Sequence, residues 1–174
     1  MYVKEVIANK ANEKLGGRLG KYEYVHPNDH VNMSQSTNDT FPTATLIGTV
    51  LAVEDNLIPA LKMLSASLNK KTKKFKKIIK VGRTHLQDAT PITLGQEFSG
   101  FESMISNDLK RIELAMKECT DLPIGGTAVG TGLNTLDGYD DLMASFISEE
   151  TGIDFNVCKN KFEHCRRRRC STPS

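Results

Sequence analysis

Apolar residues recur along most of this chain at helical spacing. In residues 2–15, Val3, Val6, Ile7 and Leu15 stand roughly one turn apart, and Gly16-Gly17 supplies a left-handed stop. Met1 enters that pattern with no capping residue before it, so the helix is expected to be one opened at an internal methionine. From Gly17 to Asn38 the periodicity vanishes among polar side chains and turn formers. A loop so long inside a compact domain is expected to build a functional site. Asn38 and Asp39 then open a helix with Pro42 in its first turn. Its apolar positions run from Ala44 through Leu51 and Leu57 to Leu68, nearly all round at the start. That breadth predicts burial among several other helices, with a kink or break at Pro59. Lys70 to Lys80 holds seven lysines in eleven positions, the pattern of a solvated helix end, with a polyanion-binding face as the alternative. After strand-like Ile78 to Val81 comes the clearest helix, residues 93–120. Thr93 and Gln96 form a capping box, and Leu94, Phe98, Phe101, Ile105, Leu109, Ile112 and Met116 follow in steps of three and four. Such a seam belongs to a long bundle helix. A last helix is expected over Asp137 to Glu150, ending at Gly152. The fold class is all-α, without internal repeats.

Composition adds limits. The chain has 174 residues, 39% hydrophobic and 25% charged, ample for a soluble core and far from disorder or collagen. The net charge of +2 rests on the run Arg166 to Arg169, without which 19 basic residues face 21 acidic ones. The body is thus mildly acidic, and a nucleic-acid partner is not expected. No window approaches 18 consecutive apolar residues, and residues 1–20 lack a signal peptide's apolar centre, so neither a membrane span nor export is expected. Cys119, Cys158, Cys165 and Cys170 suit a reduced, cytoplasmic-type compartment. Cys158, His164, Cys165 and Cys170 match no common zinc spacing and are read as incidental thiols, so no metal is expected.

Four constellations carry candidate chemistry. His26-Pro27-Asn28-Asp29-His30 is a turn that suits anion contact, or merely folds the loop; Pro27 breaks the helical geometry a His-x-x-x-His metal pair requires. Ser34-Gln35-Ser36-Thr37-Asn38-Asp39 gathers hydroxyls, amides and a helix N-terminus into a donor-rich cup for a carboxylate or phosphate, against the alternative of ordinary capping. Gly82-Arg83-Thr84-His85-Leu86-Gln87-Asp88 puts a histidine beside a hydroxyl and a guanidinium. It is either a general acid or base at neutral pH or a surface histidine held by Asp88. Gly125-Gly126-Thr127-Ala128-Val129-Gly130-Thr131-Gly132 lacks the lysine and strand–helix unit of a nucleotide cradle, and its glycines suit a tight connection or close helix packing.

Three of these segments, VHPNDHVNMSQSTNDTFPTA, GRTHLQDATPITLGQEFSG and GGTAVGTGLNT, with NKFE at 160–163, resemble in order and separation the class II fumarases of the fumarase/aspartase superfamily. The resemblance covers about residues 1–163. It implies a mostly helical subunit whose long central helices form part of a bundle in a homotetramer. The implied chemistry is reversible hydration of fumarate to (S)-malate, as in the tricarboxylic acid cycle, without metal or organic cofactor. Carried over motif by motif, Ser36, Thr37, Asn38 and Thr84 bind the dicarboxylate, His85 holds the reacting water, and His26, Pro27, Asn28 and Asp29 form a second dicarboxylate site. Aspartate ammonia-lyase is the alternative through YEY and DHVNMSQSTND.

The resemblance has gaps. The family's Gly-Ser-Ser loop, with its base serine, and its upstream glycine-serine-threonine loop are both absent from these residues. The expected organisation is therefore 1–35 as the end of an N-terminal region, 36–163 as a partial bundle, and 164–174, HCRRRRCSTPS, as an aberrant basic tail whose alternative reading is a localisation or RNA-contact patch. The chain alone is expected to be a truncated fragment, inactive or nearly so, or else a non-enzymatic helical truncation. A full-length parent is expected in the cytoplasm or the mitochondrion.

Overall fold

The computed structural model describes residues 2–163, so the tail expected to be aberrant, residues 164–174, lies outside them. In chain order the elements are α1 (Tyr2–Lys14), α2 (Thr37–Ala52), α3 (Ile58–Lys74), β1 (Ile79–Thr84), β2 (Gln87–Thr93), α4 (Leu94–Cys119), β3 (Asp121–Leu122), α5 (Tyr139–Thr151) and β4 (Asn156–Val157). Five-residue π-helical turns occupy Pro27–Val31 and Val53–Leu57. The chain divides into two compact units, one of residues up to Gly48 with those from Thr120 on, the other Thr49–Cys119.

In the first unit the buried apolar side chains are Ala8, Leu122, Ile124, Ala144, Phe155 and Cys158. β3 and β4 pair in parallel, and Cys158 N–H donates to the Leu122 carbonyl at 2.9 Å. Ser148 of α5 locks the return of the chain, its Oγ donating to Ala144 O and accepting from Phe155 N–H at 2.9 Å. Residues 122–127 are all buried. A buried loop must find partners for its backbone groups, and here Pro123 O accepts from Gly126 N–H and Gly126 O from Gly130 N–H.

In the second unit α4 packs along α3. Phe75 meets Phe98 edge-on at 5.3 Å between ring centres, and Phe98 meets Phe101 at 6.0 Å. The predicted capping box is present: Thr93 N–H donates to Gln96 Oε1 at 2.8 Å and Gln96 N–H to Thr93 Oγ1 at 3.1 Å. Ile58 N–H bonds back five residues to Val53 O. That one-residue widening precedes Pro59 and makes room for a ring that clashes with the fourth carbonyl back in a regular helix. The break expected at Pro59 is therefore a π-turn just upstream. Lysines 70, 71, 73 and 74 are exposed at the end of α3.

Two expectations need correction. α2 begins at Thr37, so Pro42 lies in its interior and not in its first turn. The all-round apolar helix is not buried within this chain: in Thr37–Lys74 only 11% of the most apolar window is covered, and Phe41, Met63 and Leu64 are exposed. By length and composition that same stretch is apolar enough to cross a membrane. A count of uninterrupted apolar residues does not register the stretch, because Pro42, Thr43, Thr45, Gly48 and Thr49 interrupt it. The core helix of a soluble protein passes the same test.

Candidate functional site

The first unit holds three of the four predicted constellations. Pro27–Val31 forms one π-helical turn capped by His26, whose Nδ1 accepts from Asp29 N–H and lies 3.0 Å from Asp29 Oδ2. His30 Nδ1 accepts from His26 N–H at 2.8 Å, and Lys4 Nζ donates to Asn28 Oδ1 at 2.6 Å. Each histidine thus has its Nδ1 engaged by a backbone N–H. Among the described residues no group of three or more His, Cys, Asp or Glu side chains is placed to hold a metal ion. The turn is carried by a residue the sequence reading passed over. Asn12 is fully buried in α1; its Nδ2 donates to Ala8 O and Val25 O, both at 2.7 Å, and its Oδ1 accepts from Tyr24 N–H and Val25 N–H. All four of its hydrogen-bonding positions are used, which fixes the chain just before His26.

Ser36, Thr37 and Asn38 stand together at the head of α2. Ser36 Oγ accepts from Asn38 N–H at 3.2 Å, and Ser36 O accepts from both the N–H and the hydroxyl of Thr40. Thr37 and Asn38 are exposed. Thr37 opens on a cavity of about 390 Å3 whose polar lining is Lys4, Asn32, Gln35 and Thr40, beside apolar Val3 and Phe41. The Asn38 side-chain amide also donates to Ser36 Oγ at 3.2 Å, and positive partial charge at the helix start suits this end to an anion. Beneath it lies Asp39, fully buried. Its Oδ1 accepts from Ser36 N–H at 2.9 Å and its Oδ2 from Thr127 N–H at 2.8 Å, 88 residues along. The sequence reading has Asp39 as a helix opener and as the last residue of the donor-rich segment, with no partner from outside it.

Thr127 belongs to the glycine-rich fourth constellation. It has φ +53, unusual for a β-branched residue, and its own hydroxyl is buried without a partner among the described residues. Gly125, at φ +78, permits the approach of Asp140: a Cβ there would lie 2.7 Å from the Asp140 Cβ. Lys161 of the NKFE segment pairs with Asp140, and its hydrogen bond holds that carboxyl below the usual range, against the opposing effect of burial. Burial pushes the Tyr139 phenol above its ordinary value, with Asp39's charge adding to the shift and Gln35 opposing it. The glycines thus serve a tight connection between β3 and α5, one of the two readings expected.

Thr84 and His85 lie in the second unit. β1 and β2 form an antiparallel hairpin with Arg83 opposite Asp88 and Thr84 opposite Gln87. His85 and Leu86 make its two-residue turn, at φ +51 and +62. Both signs positive is the geometry asparagine and glycine favour at hairpin tips, so bulky residues there carry strain of about 1–2 kcal/mol each. The sequence reading has this segment as a loop, because Pro91 and the absence of alternation disguise β2. His85 is exposed. Asp88 pairs with Arg83, Nε to Oδ1 at 3.2 Å, and does not hold the histidine as the alternative reading supposed.

The lyase family matches residues 1–170 of this chain. The mitochondrial fumarate hydratase of Schizosaccharomyces pombe is 55% identical over 91% of the chain and 31% of its own length. A class II fumarate hydratase of Bradyrhizobium diazoefficiens is 53% identical over 94% of the chain and 34% of its own. A crystal structure of class II fumarase from Schistosoma mansoni superposes with a TM-score of 0.88 at 36% identity, over 93% of this chain and 37% of that one. The chain spans about a third of the length of the curated relatives it matches.

Proposed function

From the premise that this chain belongs to the lyase family, we propose that it carries part of a fumarate hydratase site, taking fumarate or (S)-malate. The observation that carries the reading is the donor cup at Ser36, Thr37 and Asn38, seated on the helix N-terminus. Relatives named for fumarate hydration, in both mitochondria and bacteria, support it. In this reading Ser36, Thr37 and Asn38 bind a carboxylate and the hydroxyl of malate, and Thr84 is a further substrate-binding residue. Fixed donors of this kind gain most when charge builds on the substrate. Removal of the proton next to a carboxylate builds such charge, spreading it into an aci-carboxylate before the hydroxyl departs. His85 holds the water that adds across the double bond, donating or accepting its proton. The strained hairpin tip supports that role, since strained backbone clusters at active sites and ligand clamps. His26, Asn28 and Asp29, with Pro27 fixing the turn, form a second dicarboxylate site.

The substrate is a small dicarboxylate, and the assembly is a homotetramer in the cytoplasm or mitochondrion. Exposed apolar side chains on each helix, among them Val3, Phe41, Phe101 and Phe146, support association, because patches of that kind seldom stay bare. The test is an NMR titration of the chain with fumarate. Saturable shifts at the amides of Ser36, Thr37 and Asn38 are expected, and their absence at millimolar fumarate would remove the reading.

A further inference from the structure

We propose that Asp39 is a positioning residue whose two carboxylate oxygens hold the Ser36 to Asn38 cup and the glycine-rich loop in one fixed arrangement. The inference deepens the dicarboxylate reading and, as far as substrate is concerned, rests on it.

A helix-capping acid needs only one bond, to the residue that starts its own helix. Asp39 makes that bond through Oδ1, to Ser36 N–H at 2.9 Å, and still has Oδ2 on Thr127 N–H at 2.8 Å. Its side chain is at 0% exposure, and a carboxylate is rarely buried so far unless specific donors meet it. Both donors are backbone amides, so what the pair fixes is main chain. On one side is the amide of the first residue of the cup. On the other is a residue at φ +53 with an unpartnered hydroxyl, a conformation that the surroundings must hold in place. Gly125 and Gly130 flank Thr127, so the loop has little stiffness of its own. Without Oδ2, Thr127 N–H is left buried and unpaired, and the loop is free to relax. Asp39 touches no substrate in this account. It sets the angle at which Ser36, Thr37 and Asn38 meet one.

The experiment uses the whole chain, isotope-labelled, with fumarate as probe. In wild type a through-bond NMR correlation between the Thr127 amide nitrogen and the Asp39 carboxyl carbon is expected, and its absence overturns the clamp whatever the variants do. Asp39→Asn presents an NH2 to one of the two amides. It is expected to keep the helical circular dichroism while Thr127 amide exchange rises at least about tenfold, as losing a charged hydrogen bond implies. Fumarate affinity at Ser36 to Asn38 should fall by about the same factor. Thr127→Gly keeps the backbone donor and should retain fumarate affinity within about twofold. Faster exchange with undiminished fumarate affinity overturns the positioning role. If wild type does not respond to fumarate at all, the dicarboxylate reading fails, while the correlation and the exchange rates still decide the clamp. If Asp39→Asn does not fold, the wild-type correlation and Thr127→Gly decide it instead.

Discussion

Two glycines in one helix should respond to the same substitution with opposite signs. Gly95 is the second residue of α4, where the end of α3 crosses it. A Cβ built there would stand 2.7 Å from Thr72 O, 2.8 Å from Lys76 Cα and 2.9 Å from Lys76 N. All three are backbone atoms, which cannot swing aside as a side-chain tip does. Gly95 N–H also donates to Phe75 O and Leu94 N–H to Ile78 O, so the crossing is pinned from both sides. Forcing backbone apart in a packed crossing costs about 1–3 kcal/mol, while alanine regains about 1 kcal/mol of helix propensity over glycine. The net expectation for Gly95→Ala is a loss of up to about 2 kcal/mol, a fall in melting temperature of up to about 8 °C for a chain of this size. At Gly100 nothing lies within 4 Å of the built Cβ. There only propensity acts, and Gly100→Ala should gain about 0.5–1 kcal/mol, a rise of a few degrees. Parallel thermal melts, checked by amide exchange within α4, measure both. A Gly95→Ala chain as stable as Gly100→Ala would refute the close crossing of α3 and α4.

Two further outcomes follow from buried polar groups. Asn12→Ala strands Val25 O and the amides of Tyr24 and Val25; it should cost about 2–4 kcal/mol and speed exchange at those amides, and a loss below about 0.5 kcal/mol would contradict the anchoring role. Because Lys161 depresses the Asp140 carboxyl, their pair stabilises the fold above the ordinary carboxyl value of 3.8 and loses that contribution as pH falls through the lower folded value. Acid unfolding of Lys161→Gln should then begin at higher pH than wild type, and identical acid limbs would count against the pair.

What the sequence made legible was local. The Thr93–Gln96 capping box, the seam of α4 and the Gly152 stop of α5 each depend on residues a few positions apart, so pattern alone locates them. Distance in sequence hid the rest. Asp39 carries a readable signal, an acid three residues after a serine at a helix start, but a cap and a clamp look alike until Thr127 arrives from 88 residues away. Asn12 offered a weaker sign, a poor helix former inside α1 that hydrogen-bonds beyond its own turn. β2 was missed because its pairing with β1 is fixed by the tight turn at His85 and Leu86 and not by alternating side chains. The burial expected for the apolar Thr37–Lys74 stretch failed for a different reason. Hydrophobic pattern reports that a face wants cover and says nothing of which chain supplies it.

The central claim is that this chain contributes Ser36, Thr37, Asn38 and His85 to fumarate hydration. It is tested most directly by co-refolding the chain with a full-length fumarate hydratase subunit inactivated at the histidine aligned with His85, and following fumarate absorbance from (S)-malate. The account predicts activity in mixed oligomers only, none from aspartate, and its loss when the added chain carries His85→Asn. Mixed oligomers that stay inactive, or that work equally well with His85→Asn, would contradict it.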